Sequence, residues 1–235
     1  MPIIVDTTTA VTLVGGADLR AEVLTKALNL APGLVAADGG ADHLLAAGLQ
    51  PQAVIGDMDS ISGAARLAFA AVLHPVAEQM STDFDKALRH ISAPLVIAVG
   101  VTGGRLDHEL AVLHTLLRHP DRRCVVLGPD SLVVLCPPVL TLDLTPGLTV
   151  SLFPMGPVRV RSTGLRWPTD HLRFAPGQVI GTSNQVAGPM SGPILGPVVL
   201  RCDAPLMLLI LPASALAAVV TALQAAAAPW PVHAG

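Results

Sequence analysis

The stretch Ala53-Val54-Ile55-Gly56-Asp57-Met58-Asp59-Ser60 decides how the chain is read. Its first three residues form a short apolar run of the kind that makes a strand buried on both faces of a parallel sheet. After Gly56 come two aspartates separated by one residue. On an extended chain Asp57 and Asp59 point the same way, about 6.6 Å apart. They would do so at a strand's carboxyl end, where open α/β sheets bind ligands. Two carboxylates aimed at one spot in a dry crevice repel each other unless a cation lies between them. Mg²⁺ is the hard cation that works with a few carboxylates and the phosphates of a substrate. An exposed turn rich in Asp and Ser would use the same residues, so the flanking segments must decide.

Toward the N-terminus, Val11-Thr12-Leu13-Val14 is a strand ending in Gly15-Gly16, with Asp18 as the expected cap of a helix over 18–30. The glycine pair lacks the G-x-G-x-x-G spacing of a dinucleotide site. Leu34-Val35-Ala36-Ala37 is a second strand, running into Asp38-Gly39-Gly40-Ala41. Glycines there let a phosphate approach the backbone, and the helix N-terminus that follows favours an anion; a plain strand-to-helix turn would look the same.

Toward the C-terminus, Ser60 or Ser62 is placed to cap the next helix. Gln79-Met80-Ser81-Thr82-Asp83-Phe84-Asp85-Lys86 begins another, with Asp83 and Asp85 suited to the positive end of its dipole. A strand over 95–99 ends in Gly100-Val101-Thr102-Gly103-Gly104-Arg105-Leu106-Asp107-His108, a second phosphate-cradling turn in which Arg105 can clamp oxygens. Further strands at 124–128 and 131–135 complete an alternation of strand and helix that predicts a three-layer, mostly parallel α/β domain over 1–136.

The pattern changes at Pro137-Pro138. Residues 137–147 read as a linker. From 148 to 235 short alternating runs (149–153, 158–161, 172–174, 198–202 and 206–211) predict an all-β sandwich closed by an Ala-rich helix over 213–228. Trp167 is one of two tryptophans in a chain that is 3% aromatic and has no Tyr, so it is either a stacking platform or a core anchor. Gly181-Thr182-Ser183-Asn184 reads as a turn.

Composition narrows the partners. The 235 residues are 51% hydrophobic and 13% charged, with a net charge of -3 and no basic run, which argues against nucleic acid and anionic membranes. Three separated cysteines, Cys124, Cys136 and Cys202, fit reduced thiols in a cytoplasmic protein, and the first ten residues lack the pattern of a secretory signal. Mean hydropathy is +0.62. The one candidate span, 206–223, is interrupted by Pro212 and reads as a buried strand followed by a packed helix.

Taken in order, the segments 37–41, 55–60, 81–88, 102–108, 164–168 and 182–184 resemble the thiamine pyrophosphokinases. Met58 stands where that family usually has Phe, and Thr169-Asp170 after Trp167-Pro168 is unusual for it. The resemblance implies an ATP-binding α/β domain, a thiamine-binding β-sandwich, and a homodimer with active sites at its interface. The reaction implied is ATP plus thiamine giving thiamine diphosphate and AMP. By the same resemblance Asp57, Asp59, Asp83 and Asp107 hold catalytic Mg²⁺, with Asp38 nearby. Gly39, Gly40, Thr102, Gly103, Gly104 and Arg105 meet the phosphates. Gln79, Trp167, Ser183 and Asn184 attend thiamine. Which carboxylate takes the hydroxyl proton stays open, as do the number of metal ions and the nucleotide preference. Two other readings use the same residues: a D-x-D glycosyltransferase, and a non-catalytic sensor of thiamine diphosphate or a nucleotide.

Overall fold

The computed structural model describes residues 2–188 and 196–231. The chain divides into two compact units, Met1–Arg118 with Cys124–Pro129, and His119–Arg123 with Asp130–Gly235.

The first unit contains β1 (Val5–Asp6), β2 (Val11–Val14), α1 (Ala21–Leu30), β3 (Gly33–Ala37), α2 (Gly40–Ala46), β4 (Ala53–Gly56), α3 (Gly63–Ala68), β5 (Leu73–Pro75), α4 (Asp83–Arg89), β6 (Ile91–Ser92), β7 (Val96–Val99), α5 (Leu106–Arg118) and β8 (Cys124–Leu127). Strands β2, β7 and β8 run parallel, and so do β3, β4 and β5. Every residue of β2, β3, β4 and β7 is buried, as expected of strands covered on both faces. Helix α1 packs on β2 and β7, and α4 on β3 and β4. Ser62 caps α3 by accepting from Ala65 N–H, and Thr82 caps α4 by accepting from Asp85 N–H.

Helix α1 starts later than the sequence predicts. Asp18 does not cap it; Arg20 occupies the cap position without a side-chain bond. The backbone ahead is committed elsewhere: Ala17 N–H donates to Gly100 O, and Ala17 O bonds His43 Nε2 at 2.9 Å. Those partners hold the segment out of helical geometry.

The second unit contains β9 (Ser131–Leu135), β10 (Val139–Leu142), β11 (Thr149–Pro154), β12 (Val160–Thr163), β13 (Gly181–Gln185), β14 (Val198–Cys202), β15 (Met207–Pro212) and α6 (Leu216–Ala225). All pairings among these strands are antiparallel: β13-β11-β15-β9 form one set and β10-β14-β12 another. The α/β class of the first unit and the β-sandwich of the second are as the sequence predicts. Within the residues read as a linker, β10 pairs with β14 from Val139↔Arg201 to Leu142↔Val198, burying Leu140 and Leu142. Strand β9, grouped with the first domain on sequence, pairs with β15 in the second unit. The run at 172–174 amounts to one bridge, Val158↔Phe174. The supposed turn at 181–184 is strand β13, paired with β11 across a bulge between Val150 and Leu152. Among the described residues no helix is long and apolar enough to cross a membrane.

Candidate active site

The acidic centre is built where β3 and β4 end side by side. Asp38 follows β3 with φ at +40°, a left-handed value that few side chains adopt, and is 1% exposed. Its N–H donates to Ile55 O, which ties it to β4. Gly56 makes room for it: a Cβ there would sit 2.7 Å from Asp38 Cβ and 3.1 Å from Asp83 Oδ1. Gly40 is equally constrained, since its Cβ would fall 1.9 Å from Val14 O. The polypeptide therefore closes tightly under the turn that follows Asp38.

The spacing predicts that Asp57 and Asp59 converge by extended geometry, and the structure differs. Met58 has φ at +68° and is buried, so the chain turns over between them. That turn still brings them together: one oxygen each of Asp38, Asp57 and Asp59 lie within 4.8 Å of one another. Ser60 N–H donates to Asp38 Oδ2 at 3.2 Å. Asp38 Oδ1 is buried and has no hydrogen-bond partner among the described residues. A buried orphan oxygen beside two further carboxylates is a set of hard donors that fits a divalent cation such as Mg²⁺.

Asp83, at the start of α4, joins the group indirectly. Lys86 Nζ lies 2.7 Å from Asp57 Oδ2 and 3.1 Å from Asp83 Oδ1, and Lys86 is 1% exposed. Asp57 N–H donates to Asp83 Oδ1 at 3.3 Å. Burial pushes the Asp38 carboxyl up from 3.8 to about 6; the Ser60 N–H opposes this, and the charges of Asp83, Asp57 and Asp59 add to it. The hydrogen bond from Lys86 holds Asp57 below the usual carboxylate range. For Lys86, burial pulls downward but the bonds to Asp57 and Asp83 outweigh it, so its ammonium form is favoured.

Asp38 and Asp83 line a cleft of about 630 Å³, together with Gly15, Gly16, Gly39, Gly104 and Arg105 among others. Its size suits a nucleotide-sized ligand. Arg105 and Asp107 form a two-pronged pair, Nε to Oδ1 at 3.1 Å and Nη2 to Oδ2 at 2.6 Å, with both side chains largely exposed. The hydrogen bond from Arg105 lowers the Asp107 pKa, and Asp107 raises that of Arg105. Asp107 is not among the three carboxylates brought together. Thr102 and Gly103 form the adjoining turn, where Gly103 adopts φ +90° and its N–H donates to Glu109 Oε1 at 3.0 Å. Gln79 is exposed in the bend before α4.

In the second unit, Trp167 is 50% exposed and the Arg166 guanidinium lies 4.7 Å from its ring centroid. Asn184 is buried. Ser183 is exposed at φ +62°, its N–H donating to Ser151 Oγ at 3.0 Å.

Three residues of the first unit escaped the sequence reading: Lys86, His43 and Glu109. Lys86 alone carried a signal, since its i,i+3 spacing from Asp83 puts both on one helix face.

The family description "Thiamin pyrophosphokinase, catalytic domain" matches residues 24–127, and "Thiamin pyrophosphokinase, vitamin B1 binding domain" matches residues 139–192. The chain belongs to the thiamin pyrophosphokinase family. A thiamine pyrophosphokinase of Arabidopsis thaliana is 31% identical over 157 residues, covering 58% of this chain and 59% of the plant protein. The matched stretch thus spans less than two thirds of that relative. A family member from Caenorhabditis elegans is 28% identical over 178 residues, 67% of this chain and 73% of the nematode protein. Among solved structures, the Candida albicans thiamin pyrophosphokinase superposes with a TM-score of 0.71 at 14% identity, covering 90% of this chain and 94% of its own. That of Geobacillus thermodenitrificans gives 0.70 at 23% identity, with 86% and 96% covered. These two likenesses establish the thiamin pyrophosphokinase fold.

Proposed function

We propose that the protein transfers the diphosphoryl group of ATP to the hydroxyl of thiamine, giving thiamine diphosphate and AMP, with Mg²⁺. The observation that carries this reading is Asp38 Oδ1, buried beside Asp57 and Asp59 at a glycine-lined cleft and without a hydrogen-bond partner among the described residues. The hydroxyl oxygen of thiamine attacks the β-phosphorus of ATP while its proton passes to a carboxylate of the acidic centre. The bond from that phosphorus to the oxygen bridging the α-phosphate breaks, and AMP leaves with the electron pair. Bound Mg²⁺ would supply charge neutralisation on the phosphate oxygens.

Asp38, Asp57 and Asp59 are the residues that would hold the ion. Asp83 acts on that group through Lys86, and Asp107 would join it only by leaving Arg105. Once freed, Arg105 would clamp phosphate oxygens, with the backbone of Gly39, Gly40, Thr102, Gly103 and Gly104 approaching closely. In the second unit, Trp167 would stack on the pyrimidine of thiamine, with Asn184 holding it, and Ser183 and Gln79 would offer polar contacts. A homodimer with shared active sites belongs to the same reading. The three buried free thiols support a reducing compartment, the cytoplasm.

The test is AMP release from ATP and Mg²⁺, with and without thiamine. AMP that appears only with thiamine and stops on chelation upholds the reaction and its metal. No AMP from a preparation that binds thiamine tightly by calorimetry would make the protein a sensor.

A further inference from the structure

We propose that Lys86 is a built-in cation of the acidic centre: it claims Asp83 and one oxygen of Asp57, leaving Asp38, Asp57 and Asp59 as a site for a single divalent ion. This rests on reading the cleft as metal-dependent.

Three carboxylates cluster here, and a fourth, Asp83, adjoins Asp57 with Lys86 between them, so the place where a second dication could bridge Asp57 and Asp83 is filled. Lys86 Nζ sits 2.7 Å from Asp57 Oδ2 and 3.1 Å from Asp83 Oδ1. A Mg²⁺ bridging those same oxygens would need distances of about 2.1 Å. Such an ion would overlap the ammonium group, and the two positive charges would repel across a dry gap. Lys86 is 1% exposed and carried on α4, so its ammonium group is held away from water.

The remaining oxygens are not bonded to Lys86. Asp38 Oδ1 has no partner among the described residues, and Asp57 Oδ1 accepts a long bond, 3.4 Å, from Asp59 N–H. Asp59 Oδ1 accepts from the Ser60 hydroxyl at 2.8 Å. Three acidic side chains with capacity to spare suit one Mg²⁺ that keeps waters or takes phosphate oxygens for its other positions. Asp83 is then a positioning residue, holding Asp57 through Lys86 and through the Asp57 N–H.

The experiment counts Mn²⁺ bound to the full chain, by electron paramagnetic resonance without substrates and again with ATP. Wild type and K86R should bind one ion per chain, K86M two. D83N should keep one ion, and D57N should lose it. Two ions on wild type, one on K86M, or none on D83N would each overturn the proposal. Should K86M fail to fold, D83N decides the matter. Wild type that binds no Mn²⁺ even with ATP would instead sink the metal-dependent reading beneath it.

Discussion

The carboxamide of Asn184 grips the backbone of Trp167 at both ends: Oδ1 accepts from Trp167 N–H at 3.2 Å and Nδ2 donates to Trp167 O at 2.7 Å. Asn184 Oδ1 also accepts from Gln185 N–H at 2.8 Å. A strand side chain thereby does for the loop what a neighbouring strand would do. Asn184→Ala leaves two backbone groups of Trp167 unpaired and should raise the thiamine KM about tenfold, in line with ~1–3 kcal/mol for lost buried hydrogen bonds. Trp167→Ala should raise KM by a similar ~1–3 kcal/mol of lost stacking. Because both act on one platform, the double variant should be little worse than the single ones. Additive losses in the double-variant cycle would separate the two residues.

Asp57→Asn and Asp59→Asn should each lower kcat by roughly a hundredfold or more while circular dichroism stays native, as expected when the charges that hold a catalytic cation are removed. Near wild-type turnover in both would remove them from the chemistry.

Gly40→Ala is expected to fail at the level of folding. Its methyl would lie 1.9 Å from Val14 O, a backbone atom that cannot step aside. A loss of several kcal/mol or an insoluble product is expected. Gly48→Ala is the comparison: nothing lies within 4 Å, but φ is +67°, so only the modest cost of a left-handed alanine, about 1 kcal/mol, should appear. Denaturant midpoints read both.

Stability should depend on pH through two groups of opposite sign. Asp38 ionises near 3.8 unfolded and about 6 folded, so the folded chain holds its proton longer and loses stability as pH rises through that interval. Asp57 is depressed in the fold, so its contribution is present above the ordinary carboxylate value and is lost as pH falls through its folded value. Metal-free protein should therefore show an optimum on the acidic side of pH 6. Added Mg²⁺ should raise Tm more at pH 7.5 than at pH 5, because the proton on Asp38 competes with the ion. Equal shifts at both values, by scanning calorimetry, would contradict this.

The Cys124 thiol is pushed up to about 12 by burial. Native protein at pH 8 should leave it unalkylated by iodoacetamide, and denatured protein should expose it at once. Mass spectrometry of the labelled peptide decides.

Much of the first unit was legible along the chain because its signals are local. Buried parallel strands appear as unbroken apolar runs such as Val96 to Val99, and the Ser and Thr residues at 60–62 and 81–82 announce the two helices by capping chemistry, with Ser62 and Thr82 chosen as caps only in the fold. Strand β13 was not legible: Gly181-Thr182-Ser183-Asn184 has turn composition and is extended only because β11 pairs with it. Strand β10 hid in the same way behind Pro137-Pro138, since its partner β14 lies more than fifty residues away.

The acidic residues and their association with glycine turns were set by the order of residues along the chain. Their grouping was not. Asp38 comes together with Asp57 and Asp59 because β3 and β4 end in register, and Met58 bends the chain so that neighbours in sequence face one another. Lys86 reads as an ordinary helix residue until α4 packs on β4 and burial sets its charge between Asp57 and Asp83. Apolar periodicity and caps are properties of a few consecutive residues, whereas desolvation and charge pairing depend on which distant atoms share a dry space.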